Sequence, residues 1–240
     1  MIDFHTHILP GIDDGSRDLP MSAQLLTEEI AAGVDLVVAT PHFYASRISF
    51  AKFLRQRSEA LSQVESWIAE QAAPVRIMTG AEVYYFPGIG SADSVRELCI
   101  SDTGTLLLEM PFAPWTKEVL KDVRQLLEHQ HLTVVLAHVE RYIGFQKDKG
   151  IWNEIFSMPV IPQLNAGSFQ KEPGLFRRNK TLHFCLDFID RHPDFILGSD
   201  CHNMSSRRPN LKDGVDAVIR LAGNEAWERA DRTVREVLAL

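Results

Sequence analysis

The amino-acid sequence predicts an α/β fold built on a parallel β-sheet. Seven short apolar runs alternate with amphipathic stretches of helical periodicity, which is the pattern of consecutive βα units. The apolar runs are nearly continuous in Val, Leu and Ile, as is typical of strands buried on both faces. The seven predicted strands cover residues 2–5, 34–40, 74–80, 104–110, 132–138, 160–166 and 194–199.

The amphipathic stretches between and after these runs predict six helices. They cover residues 22–33, 50–71, 117–130, 182–192, 211–223 and 224–240. One connection departs from strict alternation, because the segment between Glu82 and Thr105 is irregular and only weakly helical. No linker, repeat or low-complexity tract interrupts the chain, so we expect a single domain over residues 1–240.

Seven parallel strands fit either an open doubly wound sheet or a closed barrel. His5 and His7 lie at the end of the first predicted strand, and Asp200 and His202 have the same spacing at the end of the last one. In a closed barrel the first and last strands are neighbours, so the two pairs would face each other. This pairing favours closure.

Composition and charge exclude several classes of protein. The formal net charge is −7 with no evident basic face, which argues against a nucleic-acid partner bound through phosphates. No run approaches the ~20 apolar residues needed for membrane insertion. The three cysteines are odd in number and widely spaced, and the first residues lack a signal-peptide pattern, so we expect a reducing cytoplasm. The oligomeric state stays open.

The residues at the carboxyl ends of the predicted strands are potential metal ligands. In a parallel α/β fold these ends share one rim, where sites are built. A lone histidine there is more often a hydrogen-bonded structural residue, and a lone glutamate could cap a helix or pair with an arginine. Their joint occurrence predicts metal binding instead. The nine candidates are His5, His7, Asp14, His42, Glu82, Glu109, His138, Asp200 and His202.

Nine candidate ligands are too many for one metal ion and suit two or three ions that share bridging carboxylates. Imidazole and carboxylate together favour manganese, iron or zinc over calcium. Three divalent ions against the four carboxylates leave a charge of about +2, which favours an anionic substrate such as a phosphate. Cys201 lies between two candidate ligands, but strand alternation points it away from them.

Three arginines follow these segments and are candidate phosphate-binding residues. Arg141 comes three residues after His138, and Arg207 and Arg208 come soon after His202. A guanidinium group binds phosphoryl oxygens through two parallel hydrogen bonds. The alternative for each is a surface salt bridge.

A cysteine mechanism is rejected. The stretch HFCLDFIDR has Cys185 at the spacing from an arginine that cysteine phosphatases use, but a phosphate-cradling loop needs glycines and small residues. Bulky apolar residues at helical spacing predict that Cys185 is a buried helix residue.

The motifs HTHILPGIDDG, ATPHF, GAEVYY, LLLEMPF, LAHVERY, QLNAGS and GSDCHN together resemble the PHP superfamily. They are most similar to the bacterial manganese-dependent protein-tyrosine phosphatases encoded with capsular and exopolysaccharide genes. The resemblance runs from residue 1 to about residue 210. It implies a distorted (β/α)7 barrel with three metal ions at the carboxyl-end rim, held by the nine candidates above, and a phosphate-stabilising role for Arg141.

The resemblance leaves one position open. The family's usual Arg-Pro-Pro after the last metal motif is here Arg207-Arg208-Pro209-Asn210. Counting forward from Asp200 selects Arg207, whereas adjacency to proline selects Arg208. Both stay candidates.

The resemblance also implies a function. It indicates metal-dependent hydrolysis of phosphotyrosine on a protein, namely the Tyr-rich tail of a bacterial autokinase that controls capsule or exopolysaccharide synthesis. One alternative is a phosphatase of a small phosphomonoester such as histidinol phosphate, although the short loops favour an open site. Another is a non-catalytic metal-binding regulator, which the complete set of nine ligands disfavours.

Overall fold

The computed structural model describes residues 1–170 and 180–240. Within these residues nine short strands alternate with helices, so the predicted α/β class is confirmed. The strands are β1 (Ile2–Thr6), β2 (Leu36–Ala39), β3 (His42–Phe43), β4 (Arg76–Thr79), β5 (Glu82–Tyr84), β6 (Thr105–Glu109), β7 (Thr133–Leu136), β8 (Ile161–Asn165) and β9 (Ile196–Gly198).

The helices largely follow the predicted amphipathic stretches. They are α1 (Leu19–Ala31), α2 (Phe50–Glu70), α3 (Lys117–Glu128), α4 (Gly150–Phe156), α5 (Lys180–Arg191), α6 (Leu211–Ala222) and α7 (Asn224–Val237). Helix α1 begins three residues earlier than predicted, because the Asp18 side chain accepts a hydrogen bond from Met21 N and caps the helix. Helix α4 was not predicted, since its seven residues span too few turns to show a period.

Two 3₁₀ helices fill the connection that the sequence predicted to be irregular. They cover Ile89–Ser91 and Asp93–Leu98. This part of the chain therefore departs from βα alternation as expected.

In the described residues every strand pairing is parallel, and there are two more strands than the sequence predicted. The orders are β1-β2-β4 and β3-β5-β6-β7-β8-β9. The second predicted strand ends before Pro41, which has no N–H for a ladder hydrogen bond, and β3 begins just beyond this proline. The third ends at Gly80, where a Cβ atom would lie 2.8 Å from the Ile100 side chain, and β5 begins two residues later. Strands β3 and β5 were not predicted, and they bring the described residues to nine strands instead of seven.

The parallel sheet curls until its first and last strands meet. Thr6 forms a parallel bridge with Cys201 just beyond β9. His7 N donates to Cys201 O at 2.9 Å, and Asp200 N donates to His5 O at 2.8 Å. The histidine pair and the Asp200/His202 pair are thus brought together, as their spacing predicted.

An irregularity in β1 decides which of its side chains face this junction. Asp3 pairs with Val37 but Thr6 pairs with Ala39, so β1 carries one extra residue relative to β2. Such bulges re-aim side chains and are common next to functional sites. His5 consequently points toward the carboxyl-end rim, whereas Asp3 packs on the α1 side of the strand, where it meets Glu29.

The apolar core has two parts, one on each side of the curled sheet. The larger part lies between the outer faces of the strands and the surrounding helices. The smaller part is enclosed by the strands and joined by the end of α7; it includes Phe4, Val38, Leu107, Val135, Ile196, Val234 and Leu238. This packing holds the strand ends in fixed positions beneath the rim.

The three cysteines, Cys99, Cys185 and Cys201, are free and buried. Cys185 lies in α5, and burial raises its thiol pKa far above the usual range. This agrees with the predicted structural role and with the rejection of a cysteine nucleophile. None of the helices in the described residues has the length and apolar character required to cross a membrane.

Candidate metal centre

All nine predicted ligand residues lie together at the carboxyl ends of the strands. Three sets have ligand atoms within 4.8 Å of one another: His7, Asp14, His42 and His202; His5, His7 and Asp200; and His42, Glu82 and Glu109. His138 joins them through its Nε2 atom, which lies 2.8 Å from Glu82 Oε1. Because His7 and His42 each belong to two sets, the sets form one continuous cluster.

The loop after β1 folds a carboxylate back over this cluster. Gly11 adopts a φ of 68°, and its N–H donates to Ser16 O at 2.7 Å. Gly15 lies so close to the first strand that a Cβ atom would be 2.2 Å from His7 O. With the loop held in this way, Asp14 Oδ1 lies 3.5 Å from both His42 Nε2 and His202 Nε2.

Several buried atoms of the cluster have no hydrogen-bond partner. Glu82 Oε2 and His42 Nδ1 lie only 2.9 Å apart, yet neither makes a hydrogen bond. An unpaired buried polar atom costs about 1–3 kcal/mol, so native proteins rarely leave several in one place without a ligand. The unpaired atoms are His42 Nδ1, Glu82 Oε2, Glu109 Oε2, Asp200 Oδ1 and His202 Nε2. These imidazole and carboxylate donors fit divalent metal ions.

Neighbouring histidines hold two of the buried carboxylates in their ionised form. Burial acts to raise the pKa of Glu82, but the charge of His5 and a hydrogen bond from His138 outweigh it, and the pKa lies well below its usual value. Burial also acts to raise the pKa of Asp200, but the charge of His5 is among the effects that outweigh it, and this pKa is likewise well below its usual value. Both groups are therefore ready to bind a cation.

Other groups of the cluster are pushed toward neutrality. Burial and the nearby negative charge of Glu82 raise the pKa of Glu109 to about 7. Burial and the positive charge of His7 lower the pKa of His202 to about 4. A metal ligand must be deprotonated, so neutral His202 is in the form that binds metal, whereas Glu109 would release its proton on binding.

The buried carboxylate next to the predicted ligand Asp14 orients one of the histidines. Asp13 Oδ2 lies 2.7 Å from His7 Nδ1 and accepts a hydrogen bond from His42 N at 3.0 Å. Its other oxygen accepts from Gly15 N at 2.9 Å. Asp13 thereby turns His7 Nε2 toward the cluster, a role that carboxylates commonly have behind metal-binding histidines.

Gln163 has a similar role behind two other histidines. Its Oε1 atom lies 3.1 Å from His5 Nδ1 and accepts a hydrogen bond from His138 N at 2.7 Å. Its amide donates to Asn165 Oδ1, and Asn165 in turn donates to Asp200 Oδ2 at 2.9 Å. Gln163 and Asn165 both belong to the QLNAGS motif, and both lie in β8.

Two of the three candidate arginines approach the cluster. Arg207 forms an ion pair of 2.6 Å with Asp200 Oδ2, and Arg141 lies 3.6 Å from the same oxygen. The Arg141 guanidinium also stacks 5.2 Å from the centre of the Phe112 ring. Both guanidinium groups remain part-exposed, so they face the space above the cluster.

Arg208 does not reach the cluster, in contrast to its selection as a candidate catalytic residue. Its guanidinium lies 3.4 Å from Glu28 Oε2 on α1. The reason is local: Asn203 Oδ1 accepts hydrogen bonds from the N–H groups of Ser205 and Ser206, and the same turn lets Arg207 O accept from His202 N. This turn directs Arg207 inward, so Arg208 points to the outside.

The comparison with protein families identifies the chain. The family model described as "Capsular polysaccharide synthesis, CpsB/CapC" matches residues 1–233. The chain belongs to this family. Among curated proteins, it is 26% identical to the tyrosine-protein phosphatase CpsB of Streptococcus pneumoniae, covering 93% of this chain and 91% of the relative. It is 24% identical to the tyrosine-protein phosphatase YwqE of Bacillus subtilis, covering 94% of this chain and 86% of the relative.

The fold agrees with that assignment. A solved structure described as YwqE from Bacillus subtilis and CpsB from Streptococcus pneumoniae, "unique metal-dependent tyrosine phosphatases", superposes with a TM-score of 0.83. The match covers 99% of this chain and 94% of the other at 21% identity. The CpsB/CapC chain described here therefore has the fold of those proteins.

Proposed function

We propose that this CpsB/CapC protein is a metal-dependent protein-tyrosine phosphatase. The observation that carries the proposal is the set of unpaired buried imidazole and carboxylate atoms beneath two part-exposed arginines. The first feature fits divalent ions, and the second fits a phosphoryl group. The similarity to the tyrosine-protein phosphatases CpsB and YwqE supports the same activity.

The side chains divide into two roles in this proposal. His5, His7, Asp14, His42, Glu82, Glu109, His138, Asp200 and His202 hold three divalent ions, with manganese preferred and iron or zinc as alternatives. Bound there, the ions would supply Lewis acidity, lowering the pKa of water and neutralising phosphoryl charge. Arg141 and Arg207 bind the non-bridging phosphoryl oxygens and stabilise the charge that develops on them.

The leaving group needs little assistance. A tyrosine phenol has a pKa near 10, far below that of an aliphatic alcohol, so its oxygen departs readily. No cysteine lies among the candidate ligand sets of the described residues, and the Cys185 thiol is buried in α5. We therefore propose direct hydrolysis without a covalent phosphoenzyme.

Several further features are part of the same proposal. The curled sheet corresponds to the distorted (β/α)7 barrel of the PHP class, in which β2/β3 and β4/β5 each count as one strand. Residues 1–240 form one domain that acts in the cytoplasm, for which the free, buried cysteines are the support. The substrate is a phosphotyrosine protein, namely the Tyr-rich tail of an autokinase in capsule or exopolysaccharide synthesis.

The test compares a phosphotyrosyl peptide, a phosphoseryl peptide and histidinol phosphate as substrates, each with Mn²⁺ and with EDTA. We expect manganese-dependent turnover that prefers phosphotyrosine and is unaffected by Cys185→Ser. Turnover of histidinol phosphate alone would contradict the proposed substrate but not the metal centre. Equal activity in EDTA would contradict the metal mechanism itself.

A further inference from the structure

A cavity of about 350 Å³ opens directly beside the candidate metal centre. Asp14 and His42 form part of its wall and also belong to the metal-ligand cluster. The rest of the wall includes Tyr44 and Arg47 from the segment after β3, with Ile48 and Phe53 as its apolar part. A molecule bound at the metal centre could therefore extend into this cavity without crossing a barrier.

Tyr44 gives the cavity an aromatic wall next to the centre. Its ring centroid lies 5.2 Å from that of His42 and 5.5 Å from that of Tyr84. These contacts fix the ring while leaving it partly accessible. A fixed aromatic face of this kind packs well against an aliphatic or aromatic side chain.

Arg47 supplies a positive charge over that wall. Its Cζ atom lies 4.6 Å from the Tyr44 ring centroid, and Arg47 N donates a hydrogen bond to Tyr44 O at 2.9 Å. Arg141, Arg207 and Arg208 each have a carboxylate partner. Arg47 has no such ion pair with any residue in 1–170 or 180–240, in a chain whose formal net charge is −7.

We infer that this cavity is a specificity subsite for an anionic side chain of the substrate polypeptide, and that Arg47 is its specificity-determining residue. The stem of that side chain packs on Tyr44, and its charge pairs with the Arg47 guanidinium. The inference rests on the proposed function, because it assigns a second contact to the phosphotyrosine polypeptide. Apolar surface combined with a single cation suits a glutamate or a second phosphotyrosine, which share a negatively charged tip.

The distances limit where that side chain stands in the substrate. The guanidinium lies within about 10 Å of the His42 ring, since the two ring distances are 5.2 and 4.6 Å. An extended chain advances ~3.3–3.6 Å per residue. The residue that contacts Arg47 is therefore within about three positions of the phosphotyrosine.

The experiment uses phosphotyrosyl peptides that differ at one residue, two positions from the phosphotyrosine. Alanine, glutamate, lysine and a second phosphotyrosine are compared there with the metal-loaded protein. We expect KM to be about fivefold lower for the anionic peptides than for the alanine peptide, at similar kcat, as for a part-exposed ion pair. The glutamate and phosphotyrosine peptides reveal whether the subsite prefers a carboxylate or a phosphate.

The Arg47→Gln variant should lose this difference in KM between the anionic peptides and the alanine peptide. Arg47→Lys, which keeps the positive charge, should retain part of the difference in KM. Arg17→Gln is the matched control, because Arg17 is 77% exposed and pairs with its neighbour Asp18. Equal KM values for all peptides, or a preference that persists in Arg47→Gln, would overturn the subsite. Failure to hydrolyse any phosphotyrosyl peptide would instead contradict the proposed function, and the subsite with it.

Discussion

Two clusters of buried carboxyl groups lie on opposite sides of β1, and they differ in the charge of the side chains around them. On the rim side, Glu82 and Asp200 are surrounded by histidines, which hold their pKa values well below normal. On the other side, Asp3 meets Glu29 of α1 with the Cys201 thiol close by. There, burial and then the negative charge of Asp3 raise the pKa of Glu29 well above its usual value.

The difference shows what a buried acid needs in order to ionise. Both clusters contain carboxylate oxygens without a hydrogen-bond partner. A proton shared between Asp3 and Glu29 satisfies the second cluster, because one carboxyl then donates to the other. The first cluster combines ionised carboxylates with unpaired imidazole nitrogens, and one shared proton cannot satisfy both. Divalent ions can bind both the carboxylates and the imidazole nitrogens. Only the rim cluster is therefore a metal site in our proposal.

The largest effect should come from removing a rim histidine. His5→Ala deletes one of three histidines within 3.6 Å of Asp200 Oδ1 and should lower phosphatase activity by about a thousandfold, since bound metal supplies several kcal/mol of transition-state stabilisation. The measurement is kcat/KM on a phosphotyrosyl peptide with saturating Mn²⁺. The control is Glu29→Gln on the opposite side of β1, which should stay within about twofold of wild type. Similar losses in both variants would contradict the distinction between the clusters.

The next effect separates two adjacent arginines. Arg207→Ala removes a guanidinium that faces the cluster and should lower kcat by about a hundredfold, the loss typical of one charge-stabilising donor. Arg208→Ala removes an exposed ion pair to Glu28 and should change kcat by less than about twofold. Steady-state kinetics on the same peptide decide between them. A larger loss for Arg208 would mean that the turn after Asn203 orients the two residues the other way in the active protein.

A smaller effect should follow from the loss of the carboxylate behind His7. Asp13→Asn keeps the shape but removes the charge that orients the imidazole, and should weaken metal affinity by about 10- to 100-fold. Metal titration followed by activity should show that kcat recovers at high Mn²⁺. Asp18→Asn is the matched control, because it makes the same change on the cap of α1, where asparagine also serves. An unchanged Mn²⁺ requirement in Asp13→Asn would exclude this positioning role.

The smallest effect concerns the pH dependence of stability. The folded-state pKa of Glu29 lies above the unfolded value of 4.5, so its contribution is fully present below pH 4.5 and is lost as pH rises through the folded pKa. The glutamine of Glu29→Gln cannot ionise, so the free energy of unfolding of this variant should not fall with pH in this way. The difference from wild type should grow by up to about 1.4 kcal/mol per pH unit. Urea unfolding of the metal-free proteins between pH 5 and pH 9 measures the difference. Parallel pH profiles for wild type and variant would contradict a protonated Asp3–Glu29 pair.

The rim was predictable from the sequence because one rule of parallel α/β folds covers it. Strand ends converge, so the histidines and acids that follow apolar runs had to meet, and the structure brings all nine together. The equal spacing of His5/His7 and Asp200/His202 also anticipated the contact between the first and last strands.

Other features depend on backbone detail that no periodicity encodes. Asp13 and Asp14 are adjacent carboxylates, and only the turns around Gly11 and Gly15 decide which faces the ions and which supports His7. The choice between Arg207 and Arg208 depends on hydrogen bonds to the Asn203 side chain. The bulge in β1 could not be predicted from the sequence either, because the spacing of Asp3 and His5 is that of two residues on the same face of a strand.

The most direct test of the account is the number of divalent ions bound per chain. Purified protein is stripped with a chelator, reloaded with Mn²⁺, freed of excess metal and analysed for metal content, together with its activity on a phosphotyrosyl peptide. The account predicts about three ions per chain, with activity rising as the ions bind and a lower content in His5→Ala. Activity in protein that holds no metal, or full activity with a single ion, would contradict it.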